Sequence, residues 1–154
     1  MFPARRIRLA ALPVMIFALG ACWGGPPDTL GFRNGSLAPC PGTPNCVHTG
    51  LRHPDGTQGL YLKRSLGRAG LVSSIRRVVE TMPRTRIITE SDRYLHAEVR
   101  SKIFRFVDDL EILIMPDREL VVRSASRVGQ GDMGVNAERV EELRRLLEAA
   151  DLLR

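Results

Sequence analysis

Arginines and carboxylates recur at alternate positions between Arg100 and Arg127. In an extended chain, alternate side chains share one face. Ile103–Met115 and Glu119–Val128, joined at a Pro116-Asp117 turn, read as paired strands. A third strand, from Tyr94 to Ser101, precedes them. Their parity collects His96, Glu98 and Arg100 with Arg105, Asp109 and Glu111, and then with Arg123 and Arg127. Guanidinium forks suit phosphate and carboxylate, so this face is expected to take an anionic small molecule or a partner protein. The plainer expectation is cross-strand ion pairs in water, each worth roughly 0.2–1 kcal/mol. The alternative activity is that of a hydrolase or lyase using Asp109, Glu111 and His96 as acid–base groups. Asp108 falls on the otherwise apolar side, which calls for an arginine partner or a bulge.

Gly129-Gln130-Gly131-Asp132-Met133-Gly134 spells G-x-G-x-x-G between a strand and a helix. A dinucleotide site needs a later parallel strand with an acid about 20 residues on, and the helix here is the last element. Asp132 would also repel a pyrophosphate. A bare anion pocket remains, built from Arg123, Arg127, the loop amides from Gly129 and the helix start at Asn136. His96-Ala97-Glu98 lacks the P-C-x-x-C that a zinc deaminase requires. Neither Gly-x-Ser-x-Gly nor H-E-x-x-H occurs. No cofactor is expected.

The 154 residues suffice for one domain with a core. Arg5, Arg6 and Arg8 precede the apolar run Leu9–Leu19, and Leu19-Gly20-Ala21-Cys22 follows. That order resembles a bacterial lipoprotein leader: residues 1–21 removed and Cys22 acylated. Acyl chains on Cys22 would make the membrane a partner, and several chains on one residue anchor stably. Trp23 after the cysteine favours the periplasmic face of the outer membrane. Residues 22–39 are rich in glycine and proline and read as a flexible tether, leaving 40–154 as the domain. Removing residues 1–21 lowers the net charge from +6 to about +3, no footprint for nucleic acid. Cys40 and Cys46 form an even pair in an exported chain and read as a disulfide. The competing zinc reading adds His48 and His53, but the spacing departs from zinc motifs, so no metal is assigned.

The elements that position these groups follow from periodicity. Leu60–Lys63 is a short strand candidate. Leu71, Val72, Ile75, Val78, Val79 and Met82 form one helical stripe over Arg68–Met82, stopped by Pro83. Arg84–Glu90 and Tyr94–Ser101 flank a Ser91-Asp92-Arg93 turn. A last helix spans about Ala137–Leu152, with Asn136 as N-cap. The order predicts an α+β, two-layer domain: an antiparallel four- to five-stranded meander with two helices on one face. The other face is then solvated or used for binding.

Several motifs stand in order: Cys40-Pro-Gly-Thr-Pro-Asn-Cys-Val47, Tyr94-Leu-His-Ala97, Phe104-Arg-Phe-Val-Asp-Asp-Leu-Glu111 and Arg123-Ser-Ala-Ser-Arg-Val-Gly129, then Asp132, Gly134, Asn136 and Arg139. Together they resemble the bacterial and plastid family called domain of unknown function 1499, from Pro39 to about Leu147. Members often carry an aromatic-Ser pair where this chain has Gln130-Gly131, and Asn-Arg where it has Asn136-Ala137. The resemblance implies no activity, catalytic residue or cofactor.

Overall fold

The computed structural model describes residues 24–50, 59–65 and 67–154. Four long strands form the frame: β5 (Thr85–Glu90), β6 (Tyr94–Arg100), β7 (Val107–Ile114) and β8 (Glu119–Ser126). Each pairs antiparallel with the next, as short connections demand. Earlier in the chain come β1 (Phe32–Arg33), β2 (Ser36–Leu37), β3 (Cys46–His48) and β4 (Leu60–Tyr61). β3 and β4 both pair with β8, completing a six-stranded sheet, while β1 and β2 pair only with each other. Helices α1 (Arg68–Thr81) and α2 (Val135–Ala149) pack on one face. The fold is thus α+β and antiparallel, with both helices on one side of a meander-like sheet.

The core lies where the helical stripes meet the apolar parity of the strands. Ile75 and Val79 of α1 and Leu143 and Leu147 of α2 bury against Leu95, Leu110, Ile112 and Val122. Each full burial of such a side chain is worth about 1.5–3 kcal/mol. α1 stops at Thr81 because Pro83 has no N–H to extend it.

Three expectations need correction. β7 begins at Val107, not Ile103, because the β6–β7 hairpin closes at Ser101: its N–H donates to the Phe106 carbonyl, and its hydroxyl accepts from the Phe106 N–H. Residues 102–105 are therefore an exposed tip, with Arg105 at φ 60. Asn136 is not the N-cap of α2. Gly134 holds that position at φ 85, and Asn136 is buried in the first turn.

The segment read as a tether is the third. Residues 24–39 lie over the second face of the sheet. Leu37 packs with Tyr94, Leu113 and Val121, and Phe32 joins them. The Phe32 ring sits 5.7 Å from that of Tyr94, and the Arg93 guanidinium caps it at 4.5 Å. A handful of apolar residues among glycines and prolines is enough to seal one face.

Candidate functional site

The parity argument places the charges together, and the covering segment decides what they can do. His96, Asp109, Glu111 and Arg123 all lie on the face opposite the helices, and all are buried. Glu111 is wholly enclosed. Its Oε1 accepts from the Tyr94 hydroxyl and the Gly31 N–H, both at 2.8 Å, and its Oε2 accepts from Arg123 Nη1 at 3.0 Å. Burial, then the Glu111 carboxylate, pushes the Tyr94 hydroxyl far above its ordinary pKa, so it stays a donor.

A second cluster lies beside the first. Arg127 Nη2 bridges Glu98 at 2.8 Å and Asp109 at 2.7 Å, and its Nε reaches the second Asp109 oxygen at 2.9 Å. His96 Nε2 shares Asp109 at 2.8 Å. Burial works to raise the Asp109 pKa, but the hydrogen bonds from Arg127 and His96 outweigh it and hold the carboxyl below its usual range. Arg127 is driven the other way, chiefly by its hydrogen bonds to Asp109. These guanidiniums and carboxylates pair with one another, although Arg123 Nε is buried without a hydrogen-bond partner.

The glycine-rich loop serves a third network, on the helix side. Asn136 Oδ1 accepts from the Ser124 hydroxyl and from Arg139, while its Nδ2 donates to the Asn45 carbonyl, Ser126 and Asp132. Arg139 continues to Asp108 at 2.6 Å, the arginine partner that Asp108 required. Asn45 Nδ2 donates to the Gly129 carbonyl, and Gly129 turns there at φ 82. Asp132 accepts from the Gly134 and Asn136 N–H groups. Burial opposes the shift, but the bonds from Asn136 lead in holding the Asp132 carboxyl below its usual range. The loop amides therefore face a carboxylate of their own chain.

Of the expected ligand-binding residues, the structure brings Asp109 and Arg127 together, with Arg123 on the same face. Gly129 and Asn136 lie in the helix-side network. Arg105 belongs to neither, since it sits on the exposed hairpin tip. The charged groups do not form an open recognition face: Asp109, Glu111 and His96 are buried and bonded to one another or to their own chain. Sequence reasoning missed Asn45, Ser124, Arg139 and Tyr94. Ser124 and Ser126 carried a signal, as polar residues on the apolar parity of β8.

Ile88 on the edge strand β5 and Val135 on α2 are 42% and 40% exposed, but the larger exposed features lie at the two ends of the sheet. At one end, the hairpin tip presents Ile103, Phe104 and Phe106, which are 77%, 69% and 44% exposed. The two phenyl rings stack at 5.6 Å. Met133, 99% exposed, stands on the loop that leaves β8 at the same end. At the other end is a cleft of about 440 Å³. The buried Leu71 and Val72 of α1 and the half-buried Ile114 and Met115 line it, with the exposed Pro116 at its edge. Glu90, Asp92, Arg93 and Arg118 stand on its rim with Ser73 and Ser91.

Cys40 and Cys46 form a disulfide, as their spacing and number implied. The expectation of a lipid-anchored outer-membrane protein is corrected. The cysteines that the structure describes are bonded to each other and offer no thiol for acylation. Cys22 and residues 1–21 lie outside the described residues, as does His53 of the zinc reading. No helix among the described residues is long and apolar enough to cross a membrane. Nothing in the folded domain supports acyl chains, a bilayer partner or that location. Among the described residues, no group of three or more His, Cys, Asp or Glu is placed to hold a metal.

Residues 36–147 match the family model described as Protein of unknown function (DUF1499). No curated protein matches the chain.

Proposed function

We propose, for a chain that belongs to the DUF1499 family of proteins of unknown function, that it is a binding domain working through the two ends of its sheet. The observation that carries this reading is the contrast in exposure. The charged face is spent largely on internal bonds, while the most exposed apolar side chains among the described residues, Met133, Ile103 and Phe104, gather at one end. Exposed aromatic residues clustered on one hairpin tip suit an interaction surface. The cleft falls within the roughly 300–1,000 Å³ of pockets that take organic groups, and an apolar lining with a polar rim is the usual construction of such a site. The disulfide and the Asn136 network tie the Asn45 and Gly129 loops and α2 to the sheet. Cross-linking the seven-residue loop contributes about 2 kcal/mol in the loop-entropy account.

The cleft is tested with N-phenyl-1-naphthylamine, an uncharged apolar probe, titrated into the full chain and followed by its fluorescence. One saturable site is expected. Ser73→Trp, which fills the cleft, should abolish it without lowering the thermal midpoint. Equal binding by Ser73→Trp, or none by the unmodified protein, would show that the cleft is not a binding site.

A further inference from the structure

Resting on that reading of the two ends, we propose that the cleft's occupant is a second copy of this chain: the aromatic tip of one molecule enters the cleft of the next. Three observations carry this. The first is position. β6 and β7 run from cleft to tip, with Tyr94 and Ile114 at the cleft end and Arg100 and Val107 at the tip end. Eight strand residues separate the two by roughly 27 Å. A molecule so built has an insert and a receptacle pointing in opposite directions.

The second is shape. The tip is a protrusion with Phe104 and Phe106 stacked and exposed, held in form by the Ser101–Phe106 bonds at its base. The cleft is a recess with an apolar lining. The third is charge. Lys102 and Arg105 interleave with the apolar residues of the tip, and no acid lies between Ser101 and Phe106. On the cleft rim, the Ser91-Asp92 turn brings Asp92 and Glu90 to the opening. The rim arginines are turned to their own chain: Arg93 covers the Phe32 ring at 4.5 Å, and Arg118 donates to the Lys63 carbonyl at 2.7 Å. Arg76 shares Glu90 at 3.3 Å, so Asp92 offers the more open carboxylate to an incoming cation.

Because tip and cleft are different surfaces, the contact is heterologous. It propagates head to tail, giving either an open chain or a closed ring.

The test is sedimentation velocity on three full-length proteins: unmodified, a tip variant (Phe104→Ser with Phe106→Ser) and a cleft variant (Ser73→Trp). The unmodified protein should sediment faster as its concentration rises, and each variant alone should remain monomeric. An equimolar mixture restores one good tip and one good cleft, so it should form a one-to-one dimer and nothing larger. Assembly by either variant alone would assign association to another part of the chain and overturn the proposal. A mixture that stays monomeric, or unmodified protein that never associates, would also overturn it. If the cleft still binds N-phenyl-1-naphthylamine in those cases, the binding-domain reading survives the loss of this partner. If it does not, both fail.

Discussion

Glu111 is the residue on which the covered face turns. It is enclosed, charged and held by three donors from three separate parts of the chain. A buried carboxylate with an arginine partner contributes little net stability relative to apolar side chains, but losing one partner strands the other charge. Glu111→Ala should therefore cost about 3–5 kcal/mol in urea unfolding. The double replacement Glu111→Met with Arg123→Met should recover most of that loss, since no buried charge is then left alone. A single variant within about 1 kcal/mol of the unmodified protein would mean that Glu111 is not the internal tie described here. Two-residue alternation made the grouping of Glu111, Arg123 and Arg127 legible, together with the need of Asp108 for an arginine. It could not tell that Glu111 accepts from Gly31, because that contact spans 80 positions and leaves no periodic trace.

Element by element, the helices and the long strands were readable because each repeats its apolar residues over several turns or alternations. β4 falls inside the Leu60–Lys63 candidate, whereas the short strands β1, β2 and β3 were not readable, since so short a run has no period. The same holds for the covering segment at 24–39, whose glycines and prolines resemble a linker. α2 shows how a short motif can mislead. The glycines that spell a phosphate fingerprint instead let the chain turn into the helix, and Asp132 occupies the helix N-terminus. The folded-state pKa of Asp132 is depressed, so its contribution is fully present above the ordinary carboxylate range. It is lost as pH falls through the lowered value. Asp132→Asn should lower stability by roughly 0.3–1 kcal/mol at pH 7. The gap between variant and unmodified protein should close as pH drops below about 4 in parallel thermal melts. A gap that is constant down to pH 2 would show that the contribution does not come from the carboxylate's charge.

The whole molecule is a sheet sealed on both faces, by two helices on one side and by residues 24–39 on the other. Covering both faces leaves the most exposed apolar groups at one end and a cleft at the other, with Ile88 on the edge strand β5 and Val135 on α2 exposed besides. The tip lay inside what reads as a continuous strand, because Phe104 and Phe106 keep the parity of Leu110 and Ile112. Only the closure of the hairpin at Ser101 lifts those aromatic residues out of the sheet. Sequence parity drew attention to the charged face; folding moves the functional reading to the ends. The most direct test sets the two against each other, comparing sedimentation velocity over a concentration series for Glu111→Met/Arg123→Met and for Phe104→Ser/Phe106→Ser. The account predicts that the face variant associates as the unmodified protein does, while the tip variant shows no dependence on concentration. Association lost in the face variant and kept in the tip variant would contradict it.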